Sequence, residues 1–395
     1  MLARMTRVAL YSHDSQGLGH VRRSLALASG LRAGDPTTQT LVLTGADEAA
    51  ALPRPQGCDV VGVPALTKSA SGRYGARHLD LSLAELVRLR GAVLTAALTS
   101  FAPDVVVVDR HPRGFAGELE EALGALPPDT RVVLGLRDVL DEPRVARAEW
   151  ADQQGTAALD AWYDEVWVYG DPRVFDCVDA LRLPPSWRER VRYSGYLAPH
   201  APQPPATFEQ RPAGGEVVCL VGGGGDGRPL AEAFALASWP AGDGLLVLGP
   251  QMAESDRDEV RRAAAGRADL EVVDFVPDLM PRVAGAHAAV TMGGYNTVCE
   301  MLAYRIPTLV VPRVRPRLEQ LVRADRLAEL GLLDVLHPDV VTPDRLTSWL
   351  HGVAGRSRGT GKPDIDIDGI ATVPRLLRSL AGHHAFAPEV VDVAV

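Results

Sequence analysis

Twice along this chain, short β-branched runs alternate with longer helical patterns, and between the two series lies a stretch that no sheet or helix interior accepts. Residues 7–12, 40–44, 105–109, 131–136 and 165–169 read as strands in the first series, with helical patterns over 21–32, 81–101, 114–123 and the 144–162 region. Such alternation specifies parallel sheets covered by helices on both faces. Pro199, Pro202, Pro204, Pro205 and Pro212 then interrupt it, since proline removes ladder donors and fixes φ. The pattern resumes with strands over 216–221, 244–248, 270–274, 288–291 and 308–311.

The reading is therefore α/β with two doubly wound domains. A length of 395 residues with 46% apolar content fits two cores of roughly 150 to 200 residues each. We expect an N-terminal domain over 1–198, a linker over 199–215, a second domain over 216–368, an amphipathic helix over 369–387 crossing back to the first domain, and a tail over 388–395. Net charge −9 and a pI near 5.6 speak against a non-specific nucleic-acid binder. Cys58, Cys177, Cys219 and Cys299 form no C-x-x-C pair and are read as reduced. The first apolar run begins within a few residues of Met1, leaving no room for a signal peptide, and no run reaches the length of a spanning helix. A cytoplasmic location with at most peripheral membrane contact is expected.

Glycine loops carry the chemistry. The strand at 288–291 feeds Gly293-Gly294, and a helix opens at Asn296 or Thr297, so uncapped amides can face an anion. A phosphate cradle is expected there. Gly222-Gly-Gly-Gly225 follows the strand 216–221 and precedes a helix near Pro229, so Gly223 and Gly224 can also approach phosphate, although a plain tight turn explains the same residues. Gly222, Gly224 and Gly227 also satisfy G-x-G-x-x-G, but Asp243 precedes the next strand instead of ending it, which weakens a dinucleotide reading. Thr297-x-x-Glu300 has the form of a capping box, a structural alternative to any ligand role for Glu300. His20 opens the helix after the first strand, and a histidine near neutral pH suits proton abstraction. Asp14, Asp109 and Asp138 lie at or near strand ends and compete for that role, with His13 and His111 beside them. Arg22, Arg23, Arg110 and Arg113 flank these positions and suit an anionic acceptor or a helix surface equally. Asp364-Ile-Asp-Ile-Asp-Gly369 imitates D-x-D and EF-hand motifs. Its twelfth loop position is Arg375, and it follows a glycine-rich stretch, so we read a solvated acidic turn and no metal site.

The ensemble Tyr11-Ser-His-Asp-Ser-Gln-Gly-Leu-Gly-His20, Leu136-Arg-Asp138, Gly222-Gly-Gly-Gly-Asp-Gly227 and Met292-Gly-Gly-Tyr-Asn-Thr-Val-Cys-Glu300 resembles the GT-B glycosyltransferases. It is most similar to the bacterial "predicted glycosyltransferase" group and the branch holding the lipid-linked N-acetylglucosaminyltransferase of peptidoglycan synthesis. The resemblance implies two Rossmann-like domains facing a cleft, with acceptor in the first and a nucleotide diphosphate sugar, UDP-type, in the second. It implies a glycosyltransferase that inverts and needs no metal or other cofactor, with a small-molecule or lipid-linked acceptor. It assigns ribose to Glu300, the base to Phe275 and Val276, the diphosphate to Gly293, Gly294, Asn296, Thr297 and Arg313, and the sugar hydroxyls to Glu319 and Gln320. His20 becomes the general base or an acceptor contact. Core packing remains an alternative for Phe275, and a solvated basic face for Arg313, Arg315 and Arg317. Rival functions are a nucleotide-sugar 2-epimerase, a non-catalytic nucleotide-sugar-binding subunit and, through the glycine fingerprint, a nicotinamide-dependent oxidoreductase.

Overall fold

The computed structural model describes residues 5–13, 18–47, 49, 52–68, 73–199, 215–276, 279–353 and 364–382. Its first sheet contains β1 (Arg7–Ser12), β2 (Gln39–Thr44) and β3 (Cys58–Gly62). A small antiparallel hairpin of β4 (Leu66–Lys68) and β5 (Tyr74–Ala76) follows outside that sheet. The sheet is completed by β6 (Val105–Asp109), β7 (Arg131–Arg137), β8 (Glu165–Tyr169) and β9 (Val191–Tyr193), in the order β3-β2-β1-β6-β7-β8-β9. All its pairings are parallel.

A second parallel sheet is built from β10 (Val217–Leu220), β11 (Gly244–Val247), β12 (Leu270–Val273), β13 (Ala288–Thr291), β14 (Thr308–Val310) and β15 (Asp334–Val335), in the order β12-β11-β10-β13-β14-β15. Central strands such as Val105–Asp109, Glu165–Tyr169 and Ala288–Thr291 are buried along their whole length, as a parallel sheet with helices on both faces requires. In each sheet the strand order reverses beside the first strand, between β1 and β6 and between β10 and β13. Crevices at the carboxyl ends of such switch points are where this topology holds ligands.

Several expectations need correction. The helix expected over 114–123 is broken. Gly114 and Gly117 take φ of 69° and 86°, a 3-10 turn covers Phe115–Gly117, and only Glu120–Gly124 is α-helical. The 144–162 region is two helices, Pro143–Asp152 and Gly155–Trp162, parted by Gln154 at φ 50°. The proline-rich linker lies almost wholly outside the described residues. The acidic segment Asp364 to Gly369 does more than sit in solvent: the Tyr196 amide donates to the Asp366 carbonyl, Leu197 bridges Asp368, and Ile365 is buried. The return to the first domain thus begins before Gly369.

Helix Gly369–Gly382 packs against helix Gly19–Gly34 of the first domain through small residues. A Cβ on Gly30 would stand 2.7 Å from the Ile370 carbonyl oxygen, and one on Gly34 would stand 2.4 Å from the Pro374 Cβ. In a free helix Gly→Ala gains about 1 kcal/mol. Here backbone blocks the methyl, so Gly30→Ala is expected to lose about 1–3 kcal/mol in a denaturant titration. A gain would show that the C-terminal helix does not seat there.

Candidate active site

The N-terminal half of the site forms where β1 and β6 diverge. Asp109 ends β6 and is buried. Its carboxylate accepts from Arg23, at 3.1 Å from Nε and 2.8 and 2.6 Å from Nη2, and it contacts His20 Nδ1. Burial alone would raise this carboxyl, but Arg23 and His20 outweigh it and hold Asp109 far below the usual carboxylate range. Nδ1 faces the carboxylate and also lies 2.9 Å from Arg23 Nη2; in the tautomer whose Nδ1–H donates to Asp109, the Nε2 lone pair is the basic one. Asp109 has both oxygens occupied, so it orients His20 and is not a free base.

His13 packs edge-on between His20 and His111, with ring centroids 4.9 and 4.5 Å away. Burial, with His111 and His20, keeps His13 well below the ordinary histidine range. Burial and Arg110 bring His111 down to about 3. Both imidazoles are therefore neutral in the folded protein near pH 7. The backbone at His13 is held by Arg90, wholly buried, whose guanidinium donates to the carbonyls of His13 (3.2 Å) and Pro64 (2.5 Å) and to Glu118 (2.5 and 2.8 Å).

Asp138 does not reach the cleft as a base. It is fully buried and accepts from Arg323 of the second domain at 2.8 to 3.0 Å and from the Tyr196 hydroxyl at 2.8 Å. Asp14 lies outside the described residues. Arg113 is likewise engaged elsewhere, on Glu120 and Gln154.

The second half is built at the ends of β10 and β13. Gly293 needs its missing side chain, with φ 74° and Val310 Cγ1 2.5 Å from where a Cβ would stand. Gly294 does not: nothing lies within 4 Å of its would-be Cβ, so the space before the helix is open. That helix runs Tyr295–Tyr304, starting before the expected Asn296 or Thr297, with Gly294 as N-cap and no side-chain cap. The capping box of Thr297 and Glu300 is absent because both lie inside the helix. Glu300 instead pairs with Arg22 of the first domain at 2.8 Å, and burial raises its carboxyl against the pull of that arginine. The Asn296 side chain donates to the Gly19 carbonyl at 3.1 Å, one residue from His20.

In the four-glycine loop, Gly222 and Gly224 have φ of 66° and 92°, and a Cβ on Gly224 would lie 2.2 Å from the Leu248 carbonyl oxygen. The turn itself requires these two. Gly223 would meet only the Gln251 side chain, at 2.9 Å, and Gly225 would meet nothing. Phe275, just past β12, is 48% exposed, which removes the core-packing alternative; Val276 beside it is half-buried. Arg313 is tied to Asp226 of the glycine loop at 2.5 Å, and its amide donates to Gln320 Oε1 at 2.9 Å. Glu319 opens the helix Glu319–Glu329 and pairs with Arg137 at the end of β7. Arg317 reaches across to Asp141 (3.0 Å) and Glu149 (2.5 Å). The partners Arg137 and Arg323 were not singled out from sequence; Arg137 stood in the Leu136-Arg-Asp138 motif, but nothing local marked Arg323.

Residues 218–355 match the glycosyltransferase family 28 C-terminal domain. Over 174 residues the chain is 30% identical to the UDP-N-acetylglucosamine--N-acetylmuramyl-(pentapeptide) pyrophosphoryl-undecaprenol N-acetylglucosamine transferase of Sodalis glossinidius (strain morsitans), covering 41% of this chain and 48% of that protein. The chain thus spans about half the length of the curated relatives it matches. Among solved structures, Acinetobacter baumannii MurG superposes with a TM-score of 0.57 at 16% identity, covering 95% of this chain and 99% of that one. A putative UDP-N-acetylglucosamine 2-epimerase from Listeria monocytogenes superposes with a TM-score of 0.64 at 13% identity, covering 98% and 99%. The fold is that of the GT-B glycosyltransferases, two parallel-sheet domains facing a cleft, and the family 28 match falls within the second of them.

Removing Asp138 would leave the Arg323 guanidinium charged and unpaired in a site with no solvent. Asp138→Ala is expected to cost about 3–5 kcal/mol of unfolding free energy in a urea titration. A loss within experimental error would mean the domain seam does not depend on this pair.

Proposed function

We propose that this protein is a glycosyltransferase that moves a sugar from a nucleotide diphosphate sugar, UDP-type, to a small-molecule or lipid-linked acceptor nucleophile, by a single inverting displacement without a metal ion. One observation carries the reading: an uncapped helix N-terminus behind Gly294, the natural seat of a diphosphate, is bonded through Asn296 to the residue next to His20. The family 28 match over the second domain and the UDP-sugar named for its relatives support the same donor.

In this reading the acceptor hydroxyl gives its proton to His20 Nε2 as its oxygen bonds to the anomeric carbon. The bond from that carbon to the diphosphate oxygen breaks, and its electron pair leaves with the diphosphate. Asp109 stabilises the imidazolium that forms, while the helix amides face the charge gathering on the leaving group. Glu300 takes the ribose hydroxyls, Phe275 and Val276 the base, Glu319 and Gln320 the sugar. Arg313, Asn296, Thr297, Gly223 and Gly224 complete the surroundings of the diphosphate. Among the described residues no helix is long and apolar enough to cross a membrane, so a lipid-linked acceptor would be met at the membrane surface. The 2-epimerase likeness offers a second reading, because such an enzyme needs the cradle but no acceptor. Incubation with donor alone separates them: an epimerised sugar nucleotide supports the epimerase, an unchanged one the transferase.

The division of labour between domains has a paired test. His20→Ala should lower turnover by roughly 10² to 10⁴ and leave UDP affinity by calorimetry unchanged. Glu300→Gln should weaken UDP by roughly 1 to 3 kcal/mol. Retention of more than about a tenth of wild-type turnover by His20→Ala would remove His20 as the base.

A further inference from the structure

The end of β6 carries a residue that neither the phosphate cradle nor His20 uses. Arg110 follows Asp109 with φ of 68°, a left-handed conformation that costs a side chain bearing a Cβ and is often retained for function. Its side chain is only 10% exposed, yet its ion pair is a 3.4 Å contact to Glu149. Glu149 is already held more closely by Arg317, at 2.9 and 2.5 Å. The Arg110 amide donates to the Gly135 carbonyl, which stands two residues before Arg137 on the neighbouring strand.

Arg137 is under-satisfied as well. Its Nε is buried with no hydrogen-bond partner, and its Nη2 is held by Glu319 from the other domain. Burial, opposed by Glu319 and reinforced by Arg110, Arg323 and Arg23, brings Arg137 down to about 10; burial and Arg317 lower Arg110 in the same direction. Two desolvated guanidiniums on adjacent strand ends, one with a buried Nε that has no partner and the other with a single long contact to a carboxylate, are a costly arrangement that an oxyanion would relieve.

We propose that Arg110 and Arg137 form an oxyanion site for a carboxylate or phosphate group on the acceptor, and that the site becomes available when the donor's sugar draws Glu319 away from Arg137. Both arginines belong to the first domain and flank the strand end that holds His20, whereas the phosphate cradle at Gly293-Gly294 lies on the second. An anion here is therefore carried by the acceptor and placed beside the base. Its assignment to the acceptor, and the donor gating, rest on the glycosyltransferase reading. The order of binding follows: donor first, then anionic acceptor.

The test is calorimetric titration of inorganic phosphate into the whole protein saturated with UDP, which fills the cradle and leaves Glu319 on Arg137. Glu319→Gln removes that carboxylate charge without a donor sugar, and phosphate should then bind about tenfold tighter or more. Adding Arg110→Gln, or separately Arg137→Gln, should return binding to the weak wild-type level, with circular dichroism confirming that each variant is folded. Repeating the series with acetate tells a carboxylate site from a phosphate site by which ion shows the larger gain. Unchanged phosphate affinity in Glu319→Gln, or affinity kept in both double variants, overturns the inference. A protein that takes up no UDP contradicts the proposed function instead, and the same series without UDP still decides the Arg110–Arg137 site.

Discussion

A buried carboxylate must be paired, and at Asp109 that requirement organises the first half of the molecule. The strand Val105–Asp109 is buried throughout, so the carboxylate at its end cannot turn to bulk water. Arg23, one turn into the helix after β1, neutralises it and is itself buried. This contact fixes the rotation of the helix and so carries His20, three residues earlier on the same face, onto Oδ2 of the same carboxylate, an oxygen that Arg23 Nη2 also holds at 2.6 Å. The imidazole is oriented by the same interaction that makes the switch point of the sheet stable.

The contacts between domains fall into two physical kinds. Asp138 with Arg323 is solvent-free on both sides, and the Tyr295 hydroxyl beside it donates to the Tyr169 carbonyl at 2.9 Å and accepts from the Leu197 amide at 3.1 Å. Opening such a seam would strand buried charge. Arg22 with Glu300 is different, since the Arg22 side chain is 46% exposed and its partner is a single carboxylate oxygen. Only the Glu300 end is buried, so a ligand hydroxyl that takes over the carboxylate leaves Arg22 in water and strands no charge. A permanent seam and an exchangeable contact thus lie on neighbouring parts of one cleft.

How much of this was legible follows from the range of each interaction. Central strands such as Ala288–Thr291 were readable because burial on both faces demands an unbroken apolar run. The edge strand Cys58–Gly62 was not, because its half-exposed face admits Asp59, and β9 and β15 are too short to leave a pattern. The glycine turns and His20 were legible as positions, since local backbone chemistry and topology set them. Charge partners were not. Asp138 reads as a strand-end acid until Arg323 is found 185 residues away, and Glu300 reads as a ribose ligand or a cap, with no sign of Arg22, which is found 278 residues away. Arg23 reads equally as an acceptor contact and as a helix surface residue, because nothing in its neighbourhood in sequence announces Asp109.

The claim on which the rest depends is that Asp109 acts by orienting His20. Turnover and UDP affinity of folded Asp109→Asn test it most directly, since asparagine keeps the shape and removes the charge that selects the Nδ1–H tautomer. Turnover is expected to fall by about 10² or more while UDP binds as in the wild type. Wild-type turnover in the folded variant would contradict it.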